Sequence, residues 1–206
     1  MCPECGQPIE ASLPRYRVGP AWQRRMTFRA WADTAWSVVR RPGHLFRTMQ
    51  LGGSNLSARL FLLSIALLVG VGWGAFWIVG LDKGVLAGWL MGMLAAKLVL
   101  GMTYLEAAGV TFFSWRRGWR VPFGTAERVT AYASVGWVVA AVVLGGFLAL
   151  ADRQWIADEL GVRLERWIPY YRYLLAAAGF GAAVFGFEIL VWTGVRRVRF
   201  GNTSAR

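Results

Sequence analysis

The chain has 206 residues, 56% of them hydrophobic and only 17% charged, with a mean hydropathy of +0.42. An ordinary soluble domain carries about a quarter charged residues, so disorder, a collagen-like rod and a large soluble enzyme are excluded, and the apolar excess must sit in lipid. The net charge of +12 comes from 23 Lys and Arg against 11 Asp and Glu; it would point to nucleic acid in a soluble protein, but in a membrane protein to cytoplasmic loops and anionic headgroups.

The N-terminus opens Cys2-Pro3-Glu4-Cys5-Gly6. Two thiolates two residues apart, with a glycine for the tight turn, make half of a zinc knuckle. Zinc takes four ligands, and adding His44, the one histidine, brings the chain to three. Two readings follow: Cys2 and Cys5 from each of two chains complete a site, or the motif is a degenerate ribbon that binds no metal. With two Cys in all, no disulfide framework is possible. No other cofactor is implied.

Residues 11–20, with Pro14, Gly19 and Pro20, read as a linker closing a tail over 1–20. A basic amphipathic segment then covers 21–59. Phe28, Trp31, Ala32, Ala35, Val38 and Val39 form one apolar stripe at helical period, with Arg29, Asp33 and Arg40 opposite and Thr27 placed to cap the start. Pro42 ends this helix and starts another that contains Leu45, Phe46 and Met49. Such a helix lies in the cytoplasmic headgroup layer, packs across the ends of the spans, or does both. Its arginines (Arg24, Arg25, Arg29, Arg40 and Arg41), with Arg116, Arg117 and Arg120 further on, are the expected contacts with anionic lipid or a partner.

Four apolar runs follow: 60–81, 85–114, 129–151 and 173–195, a membrane domain over 60–195. The first has no charge in 22 residues, enough at about 1.5 Å per residue to cross a core of roughly 30 Å. The start of the chain is polar and no cleavage site follows the first run, so that span is expected to be retained rather than removed as a signal peptide. Basic residues divide 17 to 5 between the two sides, with 17 on the side of both termini, including the tail 196–206. This places both termini in the cytoplasm and accounts for the net charge without nucleic acid. Between the third and fourth runs, Ile156, Leu160, Leu164 and Trp167 share a face, which predicts an interfacial helix in the second external loop. Several of the twelve Trp lie near span ends (Trp115, Trp119, Trp155, Trp167 and Trp192), as anchors at headgroup depth. The expected fold is therefore an all-α membrane protein, a four-span helical bundle.

Lys97, Glu106 and Glu188 lie inside the spans, where a charge should face the interior, pair or be neutralised. Lys97 and Glu106 are nine positions apart, half a turn out of phase, and cannot pair on a straight helix. Glu106 and Glu188 are expected at similar depth, where they could share a proton, bind a cation or each meet an arginine. Read functionally, the three charges make a proton- or ion-linked transporter or channel; read structurally, they hold the bundle together. No internal repeat and no helix broken at mid-membrane is evident. Small residues four apart (Gly70 and Gly74, Gly88 and Gly92, Ala182 and Gly186) predict close helix packing. No nucleophile set, metalloprotease motif or phosphate-cradling loop appears, so the expected protein is not an enzyme.

The segment Trp36-Ser37-Val38-Val39-Arg40-Arg41-Pro42-Gly43-His44-Leu45-Phe46-Arg47-Thr48-Met49 before the first span, and Arg128-Val129-Thr130-Ala131-Tyr132-Ala133-Ser134 opening a later one, resemble the bacterial branch of the Yip family, whose eukaryotic members are Rab-GTPase-interacting membrane proteins. The resemblance covers roughly residues 30–195. It implies a membrane-organising or trafficking-type adaptor role and carries over no catalytic residue; a scaffold that meets a second copy or another membrane protein is the expectation drawn here. The composition, 21 Arg to two Lys, fits a GC-rich bacterial genome and hence a bacterial cytoplasmic (inner) membrane.

Overall fold

The computed structural model describes residues 17–151 and 168–199, and among these all regular structure is helical. Four helices are long and apolar enough to cross a membrane: Leu56–Gly80, Val85–Arg116, Phe123–Gly146 and Ala177–Val198. Helices satisfy their own backbone groups, which is what allows them to stand in lipid. The expected interfacial helix after the third span and the Cys2–Cys5 motif both lie outside the described residues.

Three short helices come first: α1 (Ala21–Arg24), α2 (Phe28–Arg40) and α3 (Pro42–Thr48). Thr27 caps α2 by accepting the Ala30 N–H at 3.3 Å, and Pro42, which has no N–H to lose, starts α3. The first span is α4 (Leu56–Ala75), which widens at its far end into a π-turn over Phe76–Gly80. The second is α5 (Val85–Arg116). It stops at Gly118, which takes φ +68° so that the N–H of Trp119 can reach back to the Ser114 carbonyl at 2.8 Å and its own N–H to Trp115 at 3.1 Å. The third span is α6 (Phe123–Ala133) continued by α7 (Val135–Ala151), and the fourth lies within α8 (Ile168–Val198).

α4 pairs with α5, and α7 with α8, as two hairpins in series. The glycines make the first pairing possible. Gly70 and Gly74 lie directly against Gly92 and Gly88, so closely that a Cβ on Gly92 would stand 2.6 Å from the Gly70 carbonyl oxygen. The third small-residue pair behaves differently: Ala182 and Gly186 are exposed.

The third span is the centre of the molecule. Half of its most apolar window is buried, against 17–33% for the other three. It touches α4, α5, α8 and, from outside, α2. It is also not one continuous α-helix, contrary to the reading of the pattern. At Ser134 the hydroxyl turns back onto the Ala131 carbonyl at 2.6 Å, and Trp137 N–H closes a shorter turn onto Ser134 at 2.9 Å. Short polar side chains that bond their own backbone loosen a helix in this way.

The core is densest where the short helices meet the spans. Phe61 of α4 has ring contacts with Trp22, Trp31 and Tyr132, at 6.3, 6.0 and 5.1 Å. Phe46 of α3 reaches Gly194 of α8, where a Cβ would stand 3.1 Å from its ring. The expected stripe on α2 is rotated. The residues that face the bundle are Ala30, Thr34 and Val38, whereas Phe28 and Val39 are exposed together with Trp36. The reason is the anchor at Trp31, whose indole N–H donates to the Ser64 hydroxyl at 2.7 Å and fixes which side of α2 turns inward.

Candidate functional site

At the arginine-rich end of the bundle the chain from Gln50 to Asn55 enters the first span beside the start of α6. Arg128 lies on α6 and is 2% exposed. Its guanidinium donates through Nη1 to the carbonyls of Gln50 and Gly52 at 2.8 and 2.7 Å, through Nη2 to Gly53, and through Nε to the Asn55 side chain. Asn55 in turn donates to the Gly124 carbonyl at 3.0 Å and to the Glu127 carboxylate. Glu127, with a side chain 3% exposed, is neutralised by Arg59, whose side chain is 59% exposed, at 2.6 Å. A planar fork with five donors suits this gathering of carbonyl oxygens. Every charge here has a partner, so the cluster is a clip that fastens the entry loop to the third span. Beside it lies an open cleft of about 540 Å³ with Arg59 and Arg128 among its lining residues.

The sequence reading missed this cluster. The third apolar run begins at Val129, yet its helix begins at Phe123 and so takes in Glu127 and Arg128. A signal was available: an adjacent acid and base immediately before an apolar run can be a paired start of the span rather than its loop. Arg17, in the segment read as a linker, is buried and donates to the Met49 carbonyl at 3.3 Å, and burial pushes its guanidinium below the usual arginine value.

Of the three intramembrane charges, two come together. Glu106 on α5 and Glu188 on α8 are half-buried and are close neighbours. Each lies ten residues from the arginine-rich end of its helix, Arg116 and Val198 respectively, about 15 Å along the axis. Next to the pair, Trp137 stacks on Phe187 at 4.7 Å and donates to the Thr103 hydroxyl at 3.2 Å, which ties α7 to both α5 and α8 beside the Ser134 break. Gly136 permits this approach, since a Cβ there would stand 3.1 Å from the Phe187 Cα. Lys97 is not part of the group. It is exposed, on the side of α5 opposite the buried Val99 and Thr103, where its long stem lets the ammonium rise toward the headgroups.

The eight arginines singled out as surface contacts (Arg24, Arg25, Arg29, Arg40, Arg41, Arg116, Arg117 and Arg120) are all exposed. Arg117 lies over Trp119 and Trp192 at 5.2 and 5.8 Å, and Arg199 over Trp119 at 5.4 Å, so these two tryptophans hold a basic belt at one level. His44 is exposed. Among the described residues no group of three His, Cys, Asp or Glu is placed to hold a metal ion.

Fold and composition together define an all-helical integral membrane protein. Compared with known proteins, the chain matches no family model, no curated protein and no solved structure.

Proposed function

We propose that this is a non-enzymatic integral membrane protein of Yip-like type, a scaffold or adaptor of a bacterial cytoplasmic membrane with both ends in the cytoplasm. The observation that carries the reading is the three-sided character of α2. One side, Ala30, Thr34 and Val38, is packed on the bundle. A second, with Phe28, Trp36 and Val39, is exposed and apolar, and a third carries Arg29, Asp33 and Arg40. A helix fixed edgewise to a bundle with an apolar and a basic face both free is built to lie at a lipid surface. The absence of a catalytic set is read from the sequence. Anionic headgroups are the partner this surface fits, with a second copy or another membrane protein reached through the same layer, and nucleic acid has no role.

Site-directed fluorescence on the full chain in lipid nanodiscs tests it, in a Cys2→Ser, Cys5→Ser background. A fluorophore at Phe28→Cys is expected to be quenched by acyl-chain spin labels, and one at Asp33→Cys by a water-soluble quencher. Equal quenching of both by the aqueous reagent overturns the reading. An impermeant maleimide should label Asp33→Cys in inside-out vesicles and not in intact cells; labelling of intact cells overturns the orientation.

A second reading is favoured by the meeting of Glu106 and Glu188 beside a broken span: a small proton- or ion-linked transporter or channel, with Lys97 outside its centre. Interrupted helices next to intramembrane carboxylates are how such sites are built. Proton flux in proteoliposomes that is lost in Glu106→Gln and Glu188→Gln supports it. Flux that is absent, or unchanged in both variants, removes it.

A further inference from the structure

We infer that the cleft at the junction of α1 and α2 is a binding site for the phosphomonoester headgroup of an anionic lipid. The inference rests on the surface reading of α2 and specifies its ligand. The cleft measures about 660 Å³, and Arg24, Arg25, Thr27, Arg29 and Asp33 are among the residues that line it. The three arginines are exposed, and none makes an ion pair with a described residue. They surround the start of a 13-residue helix, where first-turn N–H groups point outward and the dipole favours an anion. Thr27 takes the Ala30 N–H with its hydroxyl and the Trp31 N–H with its carbonyl, which leaves those of Phe28 and Arg29.

Depth is fixed independently of charge. The Trp22 indole N–H donates to the Ser57 carbonyl at 2.7 Å, and that of Trp31 to the Ser64 hydroxyl at 2.7 Å. Both acceptors lie in the first three turns of the first span, so the cleft stands near the level where that span enters the lipid. Phe28, 83% exposed and flanked in the chain by Thr27 and Arg29 of the cleft, stacks on Trp31 with its ring centroid 6.1 Å away. A phosphate group can therefore sit among the guanidinium groups while its acyl chains run down past Phe28. A phosphomonoester carries close to two charges near neutral pH and three terminal oxygens. It accepts from three forks at once, which a phosphodiester with two free oxygens and one charge does not. The Asp33 carboxylate on the same cleft opposes the anion.

The test uses the full chain in a neutral detergent and three probes: dioctanoyl phosphatidate, dioctanoyl phosphatidylglycerol and inorganic phosphate. Phosphatidate is expected to saturate at one per chain, about tenfold or more tighter than phosphatidylglycerol, a difference of about 1.4 kcal/mol. Arg24→Gln with Arg29→Gln should weaken phosphatidate at least about tenfold, while Arg116→Gln with Arg117→Gln and Arg120→Gln changes it less than about threefold, as expected for localised charge-assisted bonds. Asp33→Asn should tighten it by about twofold, within the range of exposed charge effects. Phe28→Ala should weaken phosphatidate and leave inorganic phosphate unchanged. Equal affinity for the two lipids, weakened alike by both arginine sets, means diffuse attraction; it overturns this site and leaves the surface reading standing. Inorganic phosphate binding as tightly as phosphatidate overturns a lipid ligand. Loss of all lipid binding in the unmodified chain also overturns the site, and the nanodisc quenching then decides the surface reading alone. The exposed arginines are replaceable without loss of packing, so an unchanged melting temperature separates loss of binding from loss of fold.

Discussion

Replacing Arg128 by leucine is expected to lower the unfolding free energy of the full chain by about 3 kcal/mol, measured in mixed micelles by circular dichroism. Hydrogen bonds to a charged group contribute about 1.5–3 kcal/mol each, and Arg128 makes four. The sum is not reached, because Gln50, Gly52 and Gly53 are exposed and their freed carbonyls can bind water. The loss also reaches Asn55, which then no longer has its Oδ1 occupied while it holds Glu127. Arg128→Lys should recover less than half of the stability, since a single ammonium with three donors cannot span the same acceptors. A leucine variant within about 0.5 kcal/mol of the unmodified chain contradicts the clip.

The second large effect is expected at Gly92. Gly92→Leu should cost about 3 kcal/mol by the same measurement, at the upper end of overpacking losses. What a side chain would meet there is the Gly70 carbonyl and the Gly74 Cα, which are backbone and cannot turn aside. The two helices must separate, and in lipid nothing but close contact and hydrogen bonding holds them together. Gly101 on the same helix supplies the control, because a Cβ there meets nothing within 4 Å. Gly101→Leu should change stability by less than about 0.5 kcal/mol. Equal losses at the two positions would overturn the interface as the cause, since helix propensity alone favours leucine over glycine at both.

The spans were legible because long charge-free windows have few alternatives to lipid, and the all-helical four-span bundle follows from them. The glycine spacing was legible too, as backbone contact requires small residues at one face. What composition could not convey is where a charge finds its partner. Glu127 looks like a loop residue until Arg59, 68 positions earlier, is placed against it. The rotation of α2 was hidden for a related reason. Periodicity marks its apolar residues, but Trp31 reaching Ser64 decides which of them face protein and which face outward. The break at Ser134 has no signature in hydropathy, since serine among alanine and tyrosine neither raises nor lowers the pattern. For the intramembrane charges, spacing alone put Glu106 and Glu188 at one depth; that they meet depends on how α5 and α8 are arranged around Trp137.

The fastening by Arg128 also orders events in time. During synthesis the segment around Gln50–Asn55 emerges long before residue 128 exists, so the first glycine-lined hairpin must enter the bilayer with its leading loop untethered. Helix α3, whose Phe46 rests on Gly194, has to wait for the fourth span. Helices α1 and α2 can already settle on the first span through Trp22 and Trp31, so a ribosome stalled before the third span would present a membrane-inserted chain with its first two helices docked and α3 and the entry loop still adrift.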